Sequence, residues 1–264
     1  MQDSTYTFHA LSAADFSYFE NLLGANAMHT EDQLIAYGHD ETEDLSFPPS
    51  LVVRPENTEE ISKIMAYCHE HGIPVTPAGA RTGLSGGALP IHGGILLSME
   101  KFNRILNIDE KNHQVTTEPG VITQVLQDAV KEKGLFYPPD PASKGSCFIG
   151  GNVSENSGGP KAVKYGVTKD YVLNLEIVLP TGEIIWTGAN VLKNATGYNL
   201  TQLLVGSEGT LGIITKIVLN RNSSSILNWI FVRSYSKIIS RIYYMFNSLI
   251  IYPRHSNIIN IVLR

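Results

Sequence analysis

The chain has 264 residues and a formal net charge of −5, from 20 Lys and Arg against 25 Asp and Glu. Residues 1–220 hold 14 of the basic residues and every acidic one, whereas residues 221–264 hold six basic residues and no acidic residue. An acidic main body disfavours nucleic acid as a partner, and the length allows one large or two small domains with a sizeable core.

The sequence pattern of the N-terminal part predicts helices separated by short strands. Residues 1–46 read as a helical extension in which Ser12 caps a helix that ends at Gly24. The strand SLVVRP follows, then a helix that begins after Asn57 and ends at Gly72, then the strand IPVTPAG. The residues predicted to face inward on the two helices are Phe16, Phe19, Leu22, Leu23, Ile61, Ile64, Met65 and Cys68.

The middle of the chain predicts two αβ lobes, at 47–139 and 140–220. The first continues with the strand GGILLSM, the hairpin RILNIDEKNHQVTTEPG and a helix over 122–133. Val125, Leu126, Ala129 and Val130 are expected on the inner face of that helix. The second contains the strands LNLEIVL, IIWTG and GIITKIVLN. A ligand is expected in the crevice between the lobes.

Residues 221–264 have a different composition, without any Gly, Ala, Asp, Glu, Thr or Gln. We interpret them as an out-of-frame or foreign tail. A cationic helix on a membrane surface is the alternative. Basic residues interrupt every apolar run well short of the ~20 residues that a spanning helix needs, so no transmembrane segment is expected.

Two cysteines and the N-terminal sequence bear on the compartment. Cys68 and Cys147 form no disulfide framework, which indicates a reducing environment. The start MQDSTYTFHALSAADF lacks the positive residues and apolar core of a signal peptide. We expect a cytoplasmic protein, with peripheral attachment at the inner membrane face left open.

Two glycine-rich stretches stand out, PAGARTGLSGGAL at 77–89 and SKGSCFIGGNVSENSGG at 143–159. Glycine lets main-chain N–H groups converge on an anion, as a diphosphate-bearing cofactor requires; the alternative is a pair of surface loops. A third segment, GSEGTLG, spaces its glycines wrongly for the GxGxxG fingerprint, and no GxxxxGK[ST] loop occurs. These absences disfavour nicotinamide enzymes and P-loop nucleotidases.

Four segments occur in a specific order: VVRPENTEEI, PAGARTGLSGGALP, PPDPASKGSCFIGGNVSENSGGPKAVKYG and LLVGSEGTLGIIT. Together they resemble the FAD-binding domain of the vanillyl-alcohol oxidase and para-cresol methylhydroxylase (PCMH) type. Within that group they look most like the glycolate oxidase D subunit and FAD-linked D-lactate dehydrogenases. The resemblance covers roughly 47–219 and implies an α+β fold, with two αβ lobes forming an FAD-binding PCMH-type domain over 47–220.

The resemblance also implies three groups of cofactor-binding residues. In the first loop, around the FAD pyrophosphate, they are Pro77, Gly79, Ala80, Arg81, Thr82, Gly83 and Ser85. In the second region they are Pro139, Asp140, Ser143, Ser146, Ile149, Gly150, Gly151, Asn156, Gly158, Gly159, Tyr165 and Gly166. At the adenosine end they are Glu208, Gly209, Ile213 and Ile214, with Glu208 suited to ribose hydroxyls.

Structural explanations stay open for several of these residues. Arg81 is alternatively a surface cation, Tyr165 a core aromatic residue, and Asn156 and Asp140 turn formers. The sequence predicts no metal site, because His92 and His113 have no partner at metal-ligand spacing. The first loop contains no histidine that could attach the flavin, so FAD is expected to bind non-covalently.

By resemblance, the reaction is oxidation of a D-2-hydroxy acid, glycolate or D-lactate, by hydride transfer to flavin. Electrons would pass to a quinone, a cytochrome or an electron-accepting partner subunit. In the resembled enzymes a cap domain after the FAD-binding domain carries the substrate-binding groups. Residues 221–264 take the place of that cap domain in this sequence, so no catalytic residue is assigned. We expect a truncated form with little or no turnover. The alternatives are an FAD-binding subunit with a separate capping partner and, less favoured, an NADPH-dependent cell-wall precursor reductase of the same fold.

Overall fold

The computed structural model of the chain describes residues 8–220 and 222–223. Apart from residues 222–223, the predicted tail at 221–264 therefore lies outside the described residues. Within the described part, no helix combines the length and the apolar character needed to cross a membrane.

The first sheet has four strands in the order β1-β2-β4-β3. They are β1 (Ala27–Met28), β2 (Leu51–Val53), β3 (Val75–Ala78) and β4 (Ile95–Ser98). Strands β2 and β3 both run parallel to β4, which lies between them, and β1 pairs antiparallel with β2 at the edge. Strand β1 comes from the predicted N-terminal extension, so the extension is part of this sheet.

Three helices accompany the first sheet: α1 (Ala13–Leu23), α2 (Glu31–Tyr37) and α3 (Thr58–His71). The predicted caps of α1 and α3 are confirmed. Ser12 and Asp15 form a capping box at the start of α1, and the Asn57 side chain accepts a hydrogen bond from the Glu60 amide at 2.9 Å. The inward residues predicted for α3 are all buried and pack with β2 and β4.

The remaining strands are β5 (Ile105–Asp109), β6 (Gln114–Thr117), β7 (Leu135–Phe136), β8 (Val172–Val178), β9 (Ile184–Trp186), β10 (Ile213–Asn220) and β11 (Asn222–Ser223). Five of them form an antiparallel second sheet in the order β5-β6-β10-β8-β9. The predicted hairpin β5-β6 thus joins this sheet, because β6 pairs with β10. By strand pairing, the two sheets divide after Ser98, earlier than the lobe boundary predicted at 139.

Four further helices belong to this half: α4 (Thr123–Glu132), α5 (Ile149–Ser154), α6 (Ala162–Tyr165) and α7 (Leu200–Leu204). The predicted helix over 122–133 is confirmed as α4. Its inner face carries Leu126 and Val130, whereas Val125, predicted inward, is 52% exposed. Leu126 and Val130 lie one turn apart on the same face of α4, and Val125 lies beside that face on the solvent side.

A buried carboxylate joins the two sheets. Glu176 on β8 accepts hydrogen bonds from Thr58 on α3 (3.1 Å) and from Thr215 on β10 (2.9 Å). Its other oxygen accepts from the Lys216 ammonium group at 3.0 Å. Val178 and Ile213 of the second sheet pack in the same core cluster as α3. The helix on the first sheet is therefore fixed against the second sheet by both polar and apolar contacts.

Replacing Glu176 by Ala tests this joint. The Glu176 side chain is 8% exposed. Its loss removes the acceptor of the Thr58 hydroxyl and of the Lys216 ammonium group, whereas the Thr215 hydroxyl keeps the Glu176 main-chain carbonyl at 3.2 Å. We expect the free energy of unfolding to fall by about 3 kcal/mol. Urea denaturation measures it, with the exposed Glu183→Ala as the matched control that stays within about 0.5 kcal/mol of the parent. A Glu176→Ala value as small as that of the control would contradict the assigned role.

Candidate cofactor cleft

A cleft with about 990 Å³ of space, open to solvent, lies where the two sheets meet. Three segments form its walls: the loop after β3, the start of α5 and the residues leading into β10. These are the three places at which the sequence predicts glycine-rich contact with a ligand. The fold therefore brings segments about 60 and 130 residues apart to one site.

The structure separates the predicted site residues into two groups. Those that line the cleft are Pro77, Gly79, Ala80, Arg81, Thr82, Gly83, Ser143, Gly150, Gly151, Glu208, Gly209, Ile213 and Ile214. Those that do not are Ser85, Pro139, Asp140, Ser146, Ile149, Asn156, Gly158, Gly159, Tyr165 and Gly166. Contact with the cofactor remains a prediction for both groups.

The first loop presents one charged side chain to the cleft. Arg81 has a backbone φ of 55°, in the left-handed region that non-glycine residues seldom adopt. Its guanidinium carbon lies 4.2 Å from the centre of the Tyr37 ring. Its Nη1 is buried and has no hydrogen-bond partner. Arg81 lines the cleft, and a cationic side chain with hydrogen-bonding capacity to spare fits an anionic group of a ligand.

Two adjacent glycines of α5, Gly150 and Gly151, have different structural surroundings. A Cβ on Gly150 would lie 2.5 Å from the Cβ of Pro119, so this position needs glycine for close packing. A Cβ on Gly151 would meet no atom within 4 Å, although Gly151 lines the cleft. Gly151 therefore leaves room beside the helix for a ligand to approach the backbone.

Three carboxylates collect at the part of the cleft near Gly87. A Cβ built on Gly87 would lie 3.6 Å from Glu155 Oε1 and 3.8 Å from Glu208 Oε2. Asp40 lines the same cleft. Burial raises the pKa of Glu155, and the negative charges of Glu208 and Asp40 raise it further. Carboxylates in this position can accept hydrogen bonds from hydroxyl groups of a ligand.

Several predicted residues outside the cleft have evident structural contacts. Asp140 accepts from the Lys161 amide at 3.2 Å and pairs with its ammonium group at 3.2 Å. Asn156 accepts from the Lys169 amide at 2.9 Å. The ring of Tyr165 contacts that of Phe136 edge-on at 5.5 Å. These contacts favour the structural explanations left open for Asp140, Asn156 and Tyr165.

The other predicted residues outside the cleft are distributed around it. Ile149 is fully buried in the core of the second sheet, and Pro139 is buried with its carbonyl accepting from the Gln127 side chain at 2.8 Å. Ser85 and Ser146 are exposed. Glycines 158, 159 and 166 lie immediately before and after α6.

Sequence reasoning missed about half of the lining residues. They are Asp40, Ala78, Gly87, Ala88, Met99, Pro119, Cys147, Phe148, Asn152, Ser154, Glu155, Ser157 and Gly212. Ten of them lie inside the three glycine-rich stretches, between or beside the positions predicted, so counting each whole stretch as cleft lining would have found them. Asp40 carried no such signal, because it belongs to the N-terminal extension. Among the described residues, no group of three His, Cys, Asp or Glu is placed to hold a metal ion.

Comparison with known proteins gives consistent matches. Residues 49–188 match the model of a family described as "FAD binding domain". The chain is 50% identical over 184 residues to glycolate oxidase subunit GlcD of Bacillus subtilis strain 168, covering 70% of this chain and 39% of that protein. It is 46% identical over 194 residues to a D-lactate dehydrogenase of Anaerostipes hadrus, covering 74% and 39%. The resemblance predicted from the glycine-rich segments is confirmed.

A third relative is a D-2-hydroxyglutarate dehydrogenase of Stutzerimonas stutzeri strain A1501, 40% identical over 185 residues, with 70% of this chain and 40% of that protein covered. The chain thus spans about two fifths of the length of these curated relatives. Among solved structures, an alkyldihydroxyacetonephosphate synthase superposes with a TM-score of 0.71 at 22% identity, over 82% of this chain and 42% of that one. At this identity the likeness concerns the fold, which confirms the predicted α+β class.

The raised pKa of Glu155 predicts how stability depends on pH. The folded protein holds this proton more tightly than the unfolded chain, so stability falls as pH rises from an ordinary glutamate pKa through the raised one. Without added cofactor, Glu155→Gln should therefore melt at a higher temperature than the parent at pH 7. The difference should vanish near pH 4. Thermal melts from about pH 4 to 8 measure it.

The exposed Glu132→Gln, at the end of α4, serves as the control and should show no such trend. An advantage of Glu155→Gln that is the same at every pH would show that its origin is not electrostatic.

Proposed function

This chain belongs to the family of FAD binding domains, and its cofactor is FAD; on that premise we propose that the cleft between the two sheets is the FAD site of an oxidoreductase that oxidises a D-2-hydroxy acid. The observation that carries the site is the convergence of three separate glycine-containing segments on one cleft. Relatives named glycolate oxidase subunit GlcD and D-lactate dehydrogenase support the choice of substrate.

The residues present fit the chemical parts of the cofactor. The unpartnered Nη1 of Arg81 and the main chain of the first loop suit the diphosphate, which offers only acceptor oxygens. The space beside Gly151 admits a ligand close to α5. Glu208, with Glu155 and Asp40 beside it, supplies acceptors for sugar hydroxyls. The cleft thus has a donor region and an acceptor region, as a molecule with both phosphates and hydroxyls requires.

The protein's part in the reaction is binding and orientation. FAD held by the cleft residues would supply the redox chemistry, as the acceptor of a hydride from the α-carbon of the hydroxy acid. In our proposal, glycolate or D-lactate is the substrate, and a quinone, a cytochrome or a partner subunit takes the electrons. Peripheral association with the inner membrane face is part of the same hypothesis. No described residue is assigned as the base, and the low turnover expected from the sequence stays a prediction that dye reduction with either substrate measures.

Titration of the purified, flavin-free chain with FAD tests the proposed site. We expect quenching of flavin fluorescence, a yellow protein and a higher melting temperature, because the ligand binds only the folded state. Acid precipitation should leave the pellet colourless, because the first loop contains no histidine to attach the flavin. A chain that stays colourless with excess FAD and gains no thermal stability would refute the site, and colour retained in the pellet would refute non-covalent binding.

Gly151→Ala separates stability from binding. The added methyl group fills open space and removes a glycine from α5, so the flavin-free protein should gain about 0.5 to 1 kcal/mol in free energy of unfolding. The same methyl group should weaken FAD binding about tenfold, or about 1.4 kcal/mol, because it blocks approach to the helix backbone. Urea denaturation and fluorescence titration measure the two effects.

Gly145→Ala is the matched control, because its Cβ also meets no atom within 4 Å and it lies outside the cleft. It should leave FAD affinity unchanged. Equal affinity in the Gly151→Ala and parent proteins would exclude close contact between FAD and this part of α5.

A further inference from the structure

The segment from Tyr37, the last residue of α2, to Thr42 lies against the first glycine-rich loop. The Glu41 amide donates to the Gly83 carbonyl at 3.1 Å, and Asp40 lines the cleft. This segment precedes residues 49–188, which carry the family match. A part of the cleft wall therefore comes from a stretch of chain to which the family comparison assigns nothing.

A hydrogen bond to Glu100 fixes the position of the Tyr37 ring. Its hydroxyl donates to Glu100 Oε2 at 3.0 Å, and Arg54 Nη1 donates to Glu100 Oε1 at 3.0 Å. Glu100 follows β4 by two residues, so the ring is tied to the first sheet. The Arg81 guanidinium lies over the face of the Tyr37 ring, with its central carbon 4.2 Å from the ring centre. An immobilised aromatic face attracts the cation and restricts its rotamers.

Unpartnered buried atoms concentrate at this place. Within the described residues, five buried side-chain nitrogen or oxygen atoms have no hydrogen-bond partner, and three of them are Asp40 Oδ2, Thr42 Oγ1 and Arg81 Nη1. Buried polar atoms normally find partners, so their grouping points to a missing binding partner. Because the guanidinium only donates, the partner of Arg81 must be an acceptor. In a cleft that holds FAD, the diphosphate is the acceptor group with matching charge.

We propose that Tyr37 is a positioning residue, which holds the Arg81 guanidinium at the cleft wall so that this group donates to the FAD diphosphate. The proposal rests on the proposed function, because it takes FAD as the occupant. It assigns to the N-terminal extension a part in cofactor affinity, whereas the sequence predicts only a helical extension there. In the alternative, the contact between Tyr37 and Arg81 only stabilises the packing of the extension against the loop and does not affect the binding of the FAD phosphates.

A double-mutant cycle distinguishes the two readings. Tyr37→Met keeps most of the volume but removes the aromatic face, and Arg81→Met removes the cation. FAD affinity is measured by fluorescence titration in the parent, both single variants and the double variant, each at about 50 and 300 mM salt. We expect each single change to weaken FAD binding about tenfold, and the Tyr37 change to have no further effect once Arg81 is absent.

Two further readouts separate positioning from structural support. The affinity of both single variants should depend less on salt than that of the parent, because a charged contact to the phosphates is lost. Tyr37→Phe keeps the ring and should retain most of the affinity, although its bond to Glu100 is gone. If Tyr37→Met melts below the assay temperature, Tyr37→His replaces it, because histidine keeps a flat ring. The FAD affinity of Tyr37→His should lie between that of Tyr37→Phe and that of Arg81→Met.

The outcomes are distinct. If the parent binds FAD but Tyr37→Met binds it equally well, or if the Tyr37 and Arg81 effects simply add, the positioning role is wrong while the proposed function stands. A parent protein that binds no FAD overturns the proposed function itself.

Discussion

The buried carboxylate of Glu176 ties α3 on the first sheet to β8 and β10 of the second, and Val178 and Ile213 pack with α3 at the same joint. The walls of the cleft come from both sides of this joint. The loop after β3 belongs to the first sheet, while α5 and the start of β10 accompany the second. A shift of one sheet against the other would therefore separate the glycine-rich loop from Gly151 and Glu208. The arrangement of the cleft walls thus depends on contacts that lie outside the cleft.

The cleft itself is electrostatically divided. Arg81 and the main chain of the first loop offer donors, and Glu208, Glu155 and Asp40 offer acceptors a short distance away. Burial raises the pKa of Glu155, and repulsion from Glu208 and Asp40 raises it further. A ligand with hydroxyl groups relieves this repulsion by donating hydrogen bonds, and a ligand with phosphates satisfies the unpartnered guanidinium. The cleft thus offers donors and acceptors in separate regions, which suits a dinucleotide.

Local signals predicted much of the fold. The caps at Ser12 and Asn57 mark helix starts that the structure confirms, since capping depends on residues within one turn. The lobe boundary was less accessible, because the partner of β6 is β10, almost a hundred residues later in the chain. In the site too, features set by neighbouring residues were predictable, and features set by distant residues were not. Glycine density identified the three segments, but the contrast between Gly150 and Gly151 arises from Pro119, and the roles of Asp40 and Tyr37 arise from non-local packing.

The pairing of β1 with β2 has a practical consequence for fragment design. A recombinant fragment cut at the start of the family match, residue 49, would lack β1 and leave the main chain of β2 as an open edge prone to intermolecular pairing. The same cut would remove the aromatic support of Arg81 and the carboxylate of Asp40. The smallest portion worth expressing for ligand studies is therefore longer at its N-terminal end than the sequence family suggests.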